Sequence, residues 1–173
     1  MSIAIVFYSR TGVTERVIGI IAEKLREQGF KVDVFEARPR REYGRPLHLN
    51  PRLLYDTFTG RLIDIVVKPS KPTLDDHSLV ILASPIWCGK VSPPIRAFIR
   101  AFKCPGKTAV CLTTSQIERS YSARLRAVAE AEGGFKVIYD GNLVKGKLDE
   151  QMLNEILEAV KKGAVDMTVH GPF

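Results

Sequence analysis

The sequence predicts one α/β domain over residues 1–173, a doubly wound three-layer sandwich with a five-stranded parallel sheet between helices. Three observations predict it. Short apolar runs alternate with stretches whose apolar residues recur at helical spacing. The central runs are apolar on both faces, as strands buried in a middle layer must be. Glycines at 29, 60 and 133–134 close helical stretches where the chain has to turn back.

Taken in order, "IAIVFY" (3–8) is a first strand, buried on both sides. Val17, Ile18, Ile21 and Leu25 form the apolar stripe of the helix that follows, which Gly29 ends. "KVDVFEA" (31–37) alternates, as a half-buried or edge strand does, and "SLVILAS" (78–84) is a third, fully apolar strand. Ser92 is placed to cap the next helix, with Pro93 at its first position and Ile95, Phe98, Ile99 and Phe102 on one face. "KTAVCLT" (107–113) is the fourth strand, and Tyr121, Leu125 and Val128 mark the helix after it. "FKVIYDG" (135–141) is the fifth, followed by a helix carrying Met152, Leu153, Ile156, Leu157 and Val160. Strands separated by amphipathic helices pair in parallel through right-handed crossovers, with helices on both faces. An insertion of about forty residues (38–77) interrupts the alternation. Within it "NPRLLYDTFTG" reads as a short helix capped by Asn50 and stopped by Gly60, flanked by Pro-rich loops. The last stretch, "AVDMTVHGPF", fits no element by pattern.

Composition narrows the class. Hydrophobic residues make up 45% and charged residues 26%, the balance of a soluble globular protein. No apolar run reaches the length of a membrane span, and "MSIAIVFYSR" lacks the basic lead of a signal peptide, so a cytoplasmic location is expected. Cys88, Cys104 and Cys111 form no C-x-x-C pair, which excludes a zinc knuckle and fits a reducing compartment. A net charge of +7 is consistent with a solvated basic surface, an acidic protein partner or a phosphorylated ligand. Nucleic acid ranks below these, because no basic run is interleaved with aromatics. Only three Asn and three Gln occur, a scarcity of heat-labile amides that points to a thermophilic source.

The chemistry-bearing residues gather at strand ends. "IVFYSRTGVT" passes from the first strand into a turn carrying Ser9, Arg10, Thr11, Gly12, Val13 and Thr14, immediately before a helix. Unpaired N–H groups of a first helical turn, the positive end of the helix dipole and three hydroxyls suit a phosphate. A helix merely capped by threonine explains the same letters. The location beyond the carboxyl end of a central strand, where open α/β sheets bind ligands, favours phosphate. Other phosphate chemistries fail on the letters. "GKT" (106–108) has Ala101 where a P-loop needs glycine and precedes a strand, and the first turn has no G-x-G-x-x-G. Neither Cys88 nor Cys104 is followed six residues later by arginine.

Two further polar turns meet the same edge. "SPIWCGKVSPP" (84–94) presents Pro85, Ile86, Trp87, Cys88 and Gly89 as a rigid, sharply turned loop. Its tryptophan, the only one in the chain, is suited either to stack on an aromatic ring or to anchor the loop. Cys88 reads as packing, with no resolving cysteine nearby. "TTSQIERS" (113–120) offers Thr113, Thr114 and Ser115, whose hydroxyls and N–H groups suit a heterocycle's polar edge or simply turn the chain. No catalytic constellation and no metal set is apparent, and His48, His77 and His170 stand isolated.

On these motifs, "IVFYSRTGVTERVIGIIAEKL" and "DDHSLVILASPIWCGKVSPPIRAFI", the chain resembles the flavodoxin family. It is most similar to the archaeal and bacterial members that carry a "YD.F.G" helix, here Tyr55, Asp56, Phe58 and Gly60. The resemblance implies strand order 2-1-3-4-5 and FMN as cofactor. It would place the phosphate in the loop Ser9–Thr14 and the isoalloxazine between Pro85–Val91 and Thr113–Glu118, with Trp87 stacking. It implies electron transfer to a redox partner protein, for which the basic charge leaves an acidic partner open, or the alternative of an NAD(P)H-dependent quinone or FMN reductase with a small-molecule acceptor. A cofactor-free binding module is the non-redox reading, and a homo-oligomer is left open. Three departures stand out: a basic rather than acidic chain, the long arginine-rich segment, and a third loop without the family's usual stacking tyrosine. Arg38, Arg40, Arg41 and Arg45 leave the second strand at the ligand edge. Either they bind a second phosphate or an acidic partner, or they pair with Glu36 and Glu42 in a solvated loop.

Overall fold

The computed structural model describes residues 1–46 and 49–169, with side chains through Val165. His48 and His170, to which no role is assigned, lie outside the described residues. The elements run β1 (Ser2–Phe7), α1 (Val13–Glu27), β2 (Lys31–Pro39), α2 (Pro51–Thr59), β3 (Ile65–Lys68), β4 (Leu79–Trp87) and β5 (Lys90–Val91). They continue as α3 (Pro93–Ala101), β6 (Thr108–Ser115), α4 (Ser122–Gly133), β7 (Lys136–Val144) and α5 (Glu150–Val169). The sheet order is β3-β2-β1-β4-β6-β7. β2, β1, β4, β6 and β7 pair in parallel, in the expected order 2-1-3-4-5.

Alternation along β1 divides the core. Ile3, Ile5 and Phe7 join Val17, Ile18, Ile21 and Leu25 of α1 and Ile156 and Val160 of α5 on one face. Ala4, Val6 and Tyr8 join Ile95, Phe98 and Ile99 of α3 and Leu125 of α4 on the other. Each helix stripe read from the sequence covers one side of the sheet, which is why the central strands carry no polar face.

Several local expectations are corrected. The sheet has two antiparallel strands beyond the five. β3 pairs with the edge of β2, from Glu36↔Lys68 to Pro39↔Ile65, and blunts what would be an open edge. Four residues before a proline are too few for pattern to separate from loop. The rigid, sharply turned loop expected over residues 84–94 is a β-hairpin. β4 continues through Pro85 to Trp87, pairs with β5, and turns at Cys88 (φ 51°) and Gly89 (φ 72°). Two consecutive positive φ values are the signature of a two-residue hairpin turn. Cys88 is therefore exposed, not packed.

Ser92 starts α3 without a side-chain cap. Its Oγ lies 2.9 Å from that of Ser84 and its N–H donates to Ser84 Oγ at 3.1 Å, tying the helix to β4 instead. Asn50 does cap α2, accepting from the Leu53 N–H at 3.0 Å, and Gly60 ends it at φ 64°. The unplaced C-terminal stretch extends α5 to Val169, and residues 170–173 lie outside the described residues. Among the described residues no helix is long and apolar enough to cross a membrane.

Phe98 is completely buried and stacks on Phe102 with ring centroids 4.4 Å apart. Phe98→Ala should therefore lower the unfolding free energy by about 3–5 kcal/mol in urea melts. A loss under about 1 kcal/mol would contradict this packing.

Candidate functional site

The order of the strands reverses direction at β1 and β4, so their carboxyl ends diverge into a crevice with helices on opposite faces. The β1–α1 turn forms its floor. Gly12 takes φ 85°, a left-handed conformation that glycine adopts without penalty, and its N–H donates to Ser9 Oγ at 3.1 Å. The helix thus begins after Gly12, with no side-chain cap, and the alternative of a threonine N-cap is ruled out. The N–H groups of Val13, Thr14 and Glu15 belong to a first helical turn and have no acceptor within α1. Thr14 is buried, with its hydroxyl oxygen 2.8 Å from that of Thr114, so the head of α1 is fastened to β6.

The end of β4 makes the second wall. Trp87 stands edge-on to Tyr8 (centroids 5.5 Å, 83°) and to Tyr43 (5.8 Å, 88°). Those rings are buried and held by carboxylates. Tyr8 donates to Glu42 at 3.1 Å and Tyr43 to Asp56 at 3.0 Å. Burial first, and the neighbouring carboxylate second, hold both phenols above their ordinary range, so both stay proton donors. Trp87 is anchored from one side while still facing the crevice, so the two roles open to it in sequence are not exclusive.

A groove of about 200 Å³ results. Ser9, Arg10, Thr11, Val13 and Thr14 line one end. Pro85, Ile86 and Trp87 line the apolar side, with Thr114, Ser115 and Gln116 opposite. Four expected residues are not among its walls. Gly12 shapes the turn from behind, and Cys88 and Gly89 form the hairpin tip, where Arg124 donates to the Gly89 carbonyl. Thr113 faces β7 and donates to Asn142 Oδ1 at 2.8 Å. Ser115 also spends its hydroxyl internally, on the Ile117 carbonyl at 2.9 Å and on Asn142. The polar character of the third turn is thus mostly structural. Arg10 lines the groove, but its guanidinium donates to the Tyr43 carbonyl at 3.1 and 3.3 Å and lies 3.7 Å from Glu42. Charge at the phosphate-sized end comes from backbone dipoles rather than from a free arginine.

Sequence reasoning missed Gln116, Tyr8 and Tyr43. Tyr43 carried a signal, a lone aromatic inside "RREYGRP", where an otherwise charged loop must be pinned to the core. His77 is structural, with Nε2 3.0 Å from Asp33 and Nδ1 3.1 Å from the Thr73 carbonyl. Among the described residues no His, Cys, Asp and Glu group could hold a metal ion.

A crevice at the switch point of a parallel sheet, floored by a helix head, belongs to an open, doubly wound α/β fold. Comparison with solved structures narrows the fold further. The chain is similar to a flavoprotein of Lactobacillus acidophilus solved in complex with FMN (TM-score 0.68, 17% identity, 82% of this chain and 92% of that one). It is also similar to a flavodoxin from the domain Archaea (0.61, 16%, 97% and 99%) and to a flavodoxin of Streptococcus pneumonia TIGR4 (0.58, 16%, 96% and 99%). No protein-family model matches the sequence, and no curated protein does. The fold is flavodoxin-like.

The two buried phenols give a pH prediction. An unfolded tyrosine ionises near pH 10, whereas Tyr8 and Tyr43 resist ionisation, so the unfolded state alone sheds these protons in that range. Their contribution to stability is complete below about pH 9 and is lost as the pH rises beyond about 10. Urea melts across this range should show a shallower decline for Tyr8→Phe/Tyr43→Phe than for the native chain. Equal slopes would contradict the assignment.

Proposed function

We propose that the chain is an FMN-binding redox protein that passes electrons between partners at the open mouth of the groove. The observation that carries this reading is the juxtaposition, in one groove, of unpaired helix-head N–H groups and an apolar aromatic wall. The residues present fit the cofactor. The N–H groups of Val13, Thr14 and Glu15, with the Thr11 hydroxyl, would hold the phosphate. Pro85, Ile86 and Trp87 would flank the ring system, and Thr114 and Gln116 would address its polar edge. FMN bound there supplies reversible one- and two-electron chemistry.

The chain's own groups orient and shield. Such redox chemistry needs no side chain to act as nucleophile or general base. Trp87, fixed by Tyr8 and Tyr43, excludes water from one side. The walled volume is smaller than a typical cofactor pocket of about 300–1,000 Å³, so part of the ring would remain at the mouth, within reach of a donor and an acceptor. That access serves a protein partner or a nicotinamide equally well. The fold resemblance to flavodoxins and to an FMN-bound flavoprotein supports the same cofactor.

The test exploits Gly12. A Cβ there meets nothing within 4 Å, so Gly12→Asp should fold at a cost of about 1–2 kcal/mol for the left-handed backbone, with native circular dichroism as the check. Its carboxylate, carried at the N-cap of α1, would compete with an incoming phosphate for the helix-head N–H groups. FMN affinity, read from quenching of flavin fluorescence, should fall by at least ~10-fold, while affinity for riboflavin, which lacks the phosphate, stays the same. Equal losses for both flavins, or quenching of neither by the native chain, would overturn the reading.

A further inference from the structure

A second concave site lies beside Tyr43, whose hydroxyl meets Asp56 and whose ring meets Arg52, both residues of its lining. Arg40 and Arg41 follow β2, Arg52, Tyr55 and Asp56 come from α2, and Arg61 to Asp64 link α2 to β3. Together they enclose about 390 Å³, more than the groove at the β1–α1 turn. The frame is closed by backbone. The Arg40 N–H donates to the Asp64 carbonyl at 2.8 Å, and Arg52 Nη1 donates to the Arg41 carbonyl at 2.9 Å.

Charge in this cleft is unbalanced: four arginines face two aspartates. Asp56 is already used, buried against the Tyr43 hydroxyl at 3.0 Å and 3.7 Å from Arg52, whose guanidinium also lies over the Tyr43 ring. Among the described residues, the guanidiniums of Arg40, Arg41 and Arg61 have no carboxylate within 4 Å. Arg38 differs from them, since it pairs with Glu36 at 2.8 Å. The expectation that the segment's arginines are neutralised by Glu36 and Glu42 therefore holds only for Arg38, because Glu42 is taken by Tyr8 and Arg10. Three like charges gathered in a concavity repel one another unless an anion joins them.

We propose that this cleft binds a pyrophosphate-bearing ligand of nucleotide size. Guanidinium forks match phosphate oxygens two at a time, and three unpaired forks exceed what one carboxylate can satisfy. The volume exceeds a diphosphate. The excess is bounded by Tyr55 and Leu62, each 56% exposed, which offer an aromatic face and an apolar contact to a base. Concavity favours a small molecule over a protein surface, which would meet a flatter face. The inference stands on the arginines alone and does not require a flavin in the neighbouring groove.

The test is calorimetric titration of the full chain with ADP, inorganic pyrophosphate, adenosine and polyglutamate at low salt, repeated on Arg40→Ser/Arg41→Ser/Arg61→Ser. Saturable binding of ADP is expected, tighter than pyrophosphate, with adenosine silent. The triple variant, altered only at exposed positions, should keep the native circular dichroism and weaken ADP binding by at least ~100-fold. Gly12→Asp should leave ADP binding unchanged, which separates this site from the helix head. ADP binding that survives in the triple variant, pyrophosphate binding as tight as ADP, or uptake of polyglutamate without ADP would each overturn the proposal, the last in favour of an acidic protein partner.

Discussion

The head of α1 is the constraint around which the rest is arranged. A parallel sheet forces each crossover helix to begin at the carboxyl edge of the preceding strand, so α1 must open where β1 ends. Its first N–H groups have no partner within the helix, and no side chain caps them. Gly12 supplies the one left-handed residue that aims them into the crevice, and the Ser9–Gly12 hydrogen bond holds the turn closed beneath them. The hydroxyl contact between Thr14 and Thr114 then fixes this head to β6, so that two of the three turns at the sheet's edge move as one.

Polar groups around the crevice divide by purpose. Ser84 and Ser92 bond each other where β4 meets α3, and Thr113 and Ser115 turn to Asn142. These hydroxyls stiffen the walls rather than face a ligand. What faces the groove is chiefly backbone N–H at one end and the rings and aliphatic surface of Pro85, Ile86 and Trp87 at the other. That division suits a ligand with an anionic tail and a flat apolar head. The insertion takes part in this stiffening. Tyr43 lies between Trp87 and the Arg52–Asp56 pair, so the segment that departs most from the regular alternation also buttresses the tryptophan.

The architecture was legible because burial leaves a strong imprint. Ile3, Ile5, Val80, Leu82 and their neighbours are apolar in runs that only a sheet covered on both faces requires. Helix ends marked by backbone geometry were equally readable, as at Asn50 and Gly60. Ser92 was not, since an N-cap preference says nothing about a competing acceptor eight residues away at Ser84. β3 escaped notice because its four residues are stabilised by register against β2 and not by any pattern of their own. At the site, residue types placed Ser9, Thr14, Trp87 and Thr114 at one edge. They gave no means to tell a hydroxyl facing the crevice from one facing Asn142, and that choice is made by packing across β6 and β7.

The claim at the centre of this account is that a flavin's phosphate is held by the N–H groups at the head of α1. Phosphorus NMR of FMN bound to the chain, followed from pH 5 to 8, tests it most directly. A phosphate monoester free in solution titrates at a pKa of about 6, so its resonance moves through this range. Held by helix-head donors, the phosphate should stay dianionic and its resonance should remain fixed. A resonance that follows the curve of free FMN would contradict the account.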